Sequence, residues 1–155
     1  PFTSGQLILA TMIVYTMISL LSAASMLLVG HLMFRFQMRG DWLTFSLFLM
    51  LAAAMMVSLG LLMGSWAKNE NQSSALTNIV SSPMMFLSGA FFPSYLFPEW
   101  LRGISQFIPM ASVVDGFRLI MAENASLFAV SGQVLVVFSV TVVVYFISTR
   151  VFRWE

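Results

Sequence analysis

Four stretches of the chain, 1–34, 42–67, 71–98 and 124–149, contain no Asp, Glu, Lys or Arg. Each is about 25 to 35 residues long, and about 20 apolar residues are enough to cross a bilayer as a helix. The apolar residues run continuously instead of alternating, which excludes a membrane barrel of strands and leaves helices, since unpaired backbone amides are not tolerated in hydrocarbon. The pattern predicts four spans, at about 7–34, 43–66, 75–92 and 130–148.

The first predicted span carries Ser19, Ser22, Ala23, Ala24 and Ser25 at its middle, small residues that let membrane helices approach closely. Arg35, Arg39, Gly40 and Asp41 follow as a polar turn. In the second span Gly60 and Gly64 form a G-x-x-x-G pattern, a helix-packing signal. The run from Lys68 to Ser74 is too hydrophilic to lie anywhere but at a membrane surface and reads as a loop. Pro83 kinks the third span by removing one backbone hydrogen bond. The fourth ends in Arg150, Phe152, Arg153 and Trp154, an aromatic and basic interfacial anchor.

Between the third and fourth spans the pattern changes. Pro93 and Pro98 break the helix, and Pro98 followed by Glu99 suits the first turn of a new one. Trp100, Leu101, Ile104, Phe107 and Ile108 then share one helical face, and Pro109 is expected to end the helix. Ser112 and Asp115 match an S-x-x-D start signal for a second short helix whose apolar face would be Val113, Val114, Phe117, Ile120 and Met121. Glu99 with Arg102, and Asp115 with Arg118, lie three residues apart, close enough to pair. Helices of about ten to twelve residues are too short to span, so 93–123 reads as a re-entrant or interfacial cap.

Composition agrees. Of 155 residues, 59% are hydrophobic and 8% charged, with mean hydropathy +0.92, whereas soluble domains carry about 25% charged residues. A net charge of +1 makes no electrostatic case for nucleic acid. Without cysteine there is no disulfide, thiolate metal site or thiol catalysis. His31, the only histidine, has no neighbouring carboxylate with which to build a metal site and reads as a packing or interfacial residue. The serines sit in no nucleophile motif. The thirteen methionines are scattered over three spans and both short helices, which suits gap-filling in apolar surroundings. Two sequons, at Asn71 and Asn124, are three-residue coincidences. The residues hold no catalytic site and no cofactor.

An ordered series of motifs is specific. Leu87, Ser88, Gly89, Ala90, Phe91, Phe92 and Pro93 come first, followed by Phe97, Pro98, Glu99, Trp100, Leu101 and Arg102, then Ile108 and Pro109, and last Asp115, Gly116, Phe117 and Arg118. This series resembles the LSG-x-x-FP, LPEWL, LP, (D/E)A-x-R signature of ABC-2 type exporter permeases, in which it marks the fifth span, the short extracellular helices and the lead into the sixth. The polar turn from Ala67 to Gln72 is similar to the one between the family's fourth and fifth spans. Where the family often has Thr and Tyr after its proline, this chain has Ala111 and Ser112.

The resemblance implies an all-α permease domain, here its last four spans of six. The first two spans and the cytoplasmic helix that docks on the ATPase would lie before Pro1, and a chain that starts on proline inside an apolar run reads as a fragment. Gly89, Pro93, Pro98, Glu99, Trp100, Arg102, Pro109, Asp115 and Arg118 would be the motif of the cap and gate. The implied partners are an ATP-binding-cassette nucleotide-binding subunit, a second permease copy in a homo- or heterodimer, and membrane lipid. ATP would be bound by that subunit, since no G-x-x-x-x-G-K-[ST] loop is present here. The implied location is a prokaryotic plasma membrane with a cytoplasmic C-terminus. Charge does not decide this orientation, because it places three basic residues inside and four outside.

Two other classes compete. A secondary transporter or channel driven by an ion gradient is expected to carry an ionisable residue at mid-membrane, and none of the four uncharged runs has an acidic or basic one. A non-transporting membrane scaffold has no evident need for a proline-bounded cap.

Overall fold

The structure is a computed structural model that describes residues 3–151. It comprises α1 (Ser4–Phe34), α2 (Trp42–Trp66), α3 (Glu70–Leu87), a 3-10 turn (Ser94–Leu96), α4 (Glu99–Ser105), α5 (Pro109–Glu123) and α6 (Ser131–Val151). No strand occurs among the described residues, as the all-α reading requires. The C-terminal anchor residues Phe152, Arg153 and Trp154 lie outside the described residues.

Three helices are long and apolar enough to cross a membrane: α1 from Gly5, α2 and α6. The pair α4 and α5, bent by 90° at the break between them, reaches the same standard only when taken together. The helix in the third position departs from the 75–92 expectation. It begins at Glu70, inside the polar run, because the Asn69 side chain accepts the Gln72 N–H at 2.8 Å and the Gln72 side chain accepts the Lys68 N–H at 2.9 Å. It stops at Leu87, since Gly89 adopts φ +86, a conformation only glycine takes without strain. The loop expected over 68–74 is thus mostly the first turns of α3.

The short helices also move. Pro109 opens α5 instead of ending the helix before it, because a proline at the first helical position lacks only an N–H that would have no helical partner. Ser112 lies within α5 and caps nothing, and Ile108 takes the cap position without a side-chain bond.

α2 is the hub and packs against α1, α3, α5 and α6. The core joins Phe45, Phe48, Ala52 and Met55 of α2 to Val113 and Ile120 of α5 and to Val130 and Val137 at α6. At one end of the bundle the Arg39 N–H donates to the Met121 carbonyl at 3.1 Å, tying the α1–α2 turn to the end of α5. At the other end the Tyr145 hydroxyl donates to the Gly5 carbonyl at 3.2 Å. Ser148 there shares a pocket with Leu7, Ile8 and Leu61. α6 therefore runs parallel to α2, and α1 antiparallel to both.

Candidate substrate path and cap

α5 lies antiparallel to α2 and covers only part of its length. Its last turn touches Gly40, its middle packs on Phe48, and Met110 in its first turn lines a cavity with Met56, Gly60 and Met63. Fifteen residues at 1.5 Å make about 22 Å, against about 37 Å for the 25 residues of α2. The start of α5 therefore lies inside the length of the bundle, level with the second half of α2 between Met56 and Met63.

The contacts that seat α5 are close because two side chains are absent. A Cβ on Gly116 would overlap the Phe48 ring, and one on Gly40 would run into the Ile120 carbonyl oxygen. Phe117 stacks against Phe48 at 5.0 Å in a T-shape and against Phe45 at 5.4 Å. Gly40 and Phe48 escaped the sequence reading as contact residues, and Gly116 entered it only within the motif. Their signal is tertiary, apart from the presence of a glycine.

The motif residues fall into three local groups. Gly89 ends α3, and Ser88 beside it is buried with its hydroxyl donating to the Met85 carbonyl at 2.8 Å. Pro93 and Pro98 precede the 3-10 turn and α4, with Glu99 in the first turn of α4. Arg102 donates to the Tyr95 carbonyl at 3.0 Å and the Phe97 carbonyl at 3.5 Å, folding the linker back on α4. That overturns the expected Glu99–Arg102 pair: the planar guanidinium finds two carbonyls left without helical partners. Among the described residues the one ion pair is Asp115–Arg118 at 3.0 Å, with side chains 44% and 57% exposed. Trp100 and Phe107 are also exposed, at 69% and 88%.

The motif therefore does not converge on one point. Pro109 opens α5, and Asp115 and Arg118 stand on its exposed side, while Gly89 lies at the end of α3. Gly60 and Gly64 sit at no close helix crossing among the described residues: nothing lies within 4 Å of a Cβ built on Gly60, and on Gly64 only the Ser73 hydroxyl does, at 3.9 Å. His31 Nδ1 lies 2.9 Å from the Phe36 carbonyl oxygen, a local bond at the end of α1. Outside the spans, the Asp41 carboxyl is held below its usual range, chiefly by the Thr44 backbone N–H and then by the Thr44 hydroxyl.

A bundle of long apolar helices with a bent, proline-opened helix pair is a multi-pass integral membrane protein. The chain belongs to the ABC-2 type transporter family, whose model matches residues 1–122. It is similar to the inner membrane transport permease YadH of Escherichia coli strain K12, with 32% identity over 78 residues, 50% of this chain and 30% of that protein. The YadH proteins of Escherichia coli O157:H7 and Shigella flexneri match equally. The match covers less than a third of the length of these relatives. No solved structure matches the chain.

Proposed function

We propose that the chain is part of a membrane permease subunit of an ABC exporter. It forms part of the substrate path and alternates access using ATP hydrolysed by a partner nucleotide-binding subunit, with a second permease copy completing the path. The observation that carries this reading is the bent α4–α5 pair, whose second helix starts inside the length of the bundle, in a family of transporters. Non-helical backbone at membrane depth is tolerated where it is buried in protein or lines a water-filled cavity. A scaffold subunit gains nothing from such a break, and an ion-coupled carrier would need a charge that the uncharged runs lack.

In this reading 93–123 is an extracytoplasmic cap, both ends of the chain are cytoplasmic, and the membrane is a prokaryotic plasma membrane. The bonding of the α1–α2 turn to the end of α5 supports putting that turn and the cap on one side. The motif residues from Gly89 to Arg118 then shape the exit, and the Asp115–Arg118 pair orients α5 over it.

Because this chain has no cysteine, single cysteines placed in it are direct reporters once any cysteine elsewhere in the full-length permease has been replaced. Tyr95→Cys should react with an impermeant maleimide from outside intact cells, and Asn71→Cys only in inverted vesicles. Labelling of Tyr95→Cys only from the cytoplasmic side would reject the topology. Copurification of the full-length permease with a nucleotide-binding subunit, with ATP hydrolysis abolished by substituting that subunit's phosphate-loop lysine, tests the energy coupling.

A further inference from the structure

Five of the thirteen methionines, Met56, Met63, Met84, Met85 and Met110, come together around one cavity of about 220 Å³ between α2, α3 and the start of α5. Their positions in the chain give no hint of this, since they come from three helices. The space is a partly open cleft, with Gly60, Ser81 and Met85 exposed at its edge. This space exceeds the roughly 150 Å³ of an apolar cavity known to admit benzene.

The wall limits what can enter. It holds no charged residue, so an ionic ligand would lose its hydration without a partner. Thioethers also ligate soft cations such as Cu(I). Met110, however, stands in the first turn of α5, where the positive end of the helix dipole opposes a cation. What five mobile, polarisable sulfurs favour is an aromatic ring, each S–aromatic contact contributing about 0.3–1.5 kcal/mol. Thr77 and Ser81, one turn apart on α3, add two hydroxyls to the wall. They suit a ring bearing a phenol or amide substituent.

We propose that this chamber binds the aromatic ring of uncharged apolar compounds and, resting on the transport reading above, that such compounds are the class the permease carries. Gly60 forms part of the wall and also borders a second space with Tyr15, Ser19, Val57 and Leu61, and no neighbour lies within 4 Å of a Cβ built on it. Leucine there adds bulk at the edge of the methionine-lined space while improving helix propensity.

The test uses the full-length permease with its nucleotide-binding partner in inverted membrane vesicles. The photolabel is 3-trifluoromethyl-3-phenyldiazirine, with benzotrifluoride as competitor and adducts mapped by mass spectrometry. Labelling of Met84 and Met110 should saturate and fall severalfold with excess benzotrifluoride, whereas labelling of Leu21 and Leu32, exposed on α1, should do neither. Gly60→Leu should abolish the competed fraction, and benzotrifluoride should stimulate ATP hydrolysis in the wild type but not in Gly60→Leu.

Labelling of the methionines that neither saturates nor responds to Gly60→Leu overturns the chamber. This holds even if the vesicles transport other compounds. Saturable labelling without any ATPase response leaves the chamber standing and overturns its link to transport. Competition by silver ion in place of benzotrifluoride overturns the aromatic assignment.

Discussion

α1 and α5 are opposites in composition and in burial, and in the reverse of the order expected in water. α1 has 31 residues, no charge and the appearance of a core helix. Yet Leu21, Met26 and Phe34 are 70–80% exposed, and an open apolar groove of about 610 Å³ runs between it, α2 and α5. α5 has half the length and carries Asp115 and Arg118, but Val113, Gly116 and Ile120 are buried against α2. In lipid, apolar surface gains little by leaving its solvent, so close contact follows small residues and shape. Hydrophobicity tells which solvent a helix meets, and fit tells which helix it meets.

The largest effect that follows is at Gly40. Gly40→Ala drives a methyl group into the backbone of Ile120, which no rotamer change relieves. The loss should lie at the upper end of the roughly 1–3 kcal/mol that overpacking costs, read as a lowered thermal midpoint of the purified full-length permease. Leu21→Ala on α1 should shift it by no more than about 0.5 kcal/mol, as substitutions away from packed features do. An equal loss at both would break the contrast between the two helices.

Next comes Gly116→Ala, which should destabilise by about 1–2 kcal/mol. Here the obstruction is an aromatic ring, so adding Phe48→Leu should recover part of the loss in a double-mutant cycle. Additive losses from the two changes would place α5 elsewhere.

Asp115→Asn should change stability by less than about 0.5 kcal/mol, because the pair is exposed. Export should nevertheless fall while membrane insertion is retained. Unaltered export would remove the pair from the mechanism.

The smallest effect concerns Asp41. Its folded-state pKa is depressed, so the cap's contribution is present above the ordinary carboxylate range and is lost as pH falls toward the lowered value. The thermal midpoint should drop over that acid interval, and Asp41→Asn should flatten the drop. A wild-type profile identical to that of Asp41→Asn would show that the carboxylate contributes nothing.

Legibility tracked how local the physics was. The long helices and the Arg35–Asp41 turn could be read from charge-free runs, and the α4 start from Pro98 and Glu99. The start of α3 at Glu70 was missed because the Asn69 and Gln72 side chains turn a polar surface run into a helix cap. Pro109 is a start where the local pattern predicts a stop, since one residue type serves both and only the following helix decides. Spacing predicts an Arg102–Glu99 pair, but the guanidinium bonds the linker's free carbonyls instead. Of the candidate site, the motif order was visible and its spatial spread was not.

By itself the sequence determined the solvent. Transfer into lipid is set residue by residue, and three continuously apolar helices as long as a bilayer is thick leave no other choice. The depth at which α5 begins, the glycines that seat it and the gathering of five methionines from three helices belonged to the tertiary structure alone. Between helices already in lipid no hydrophobic force selects partners, and the fit of surfaces distant in the chain has to do so.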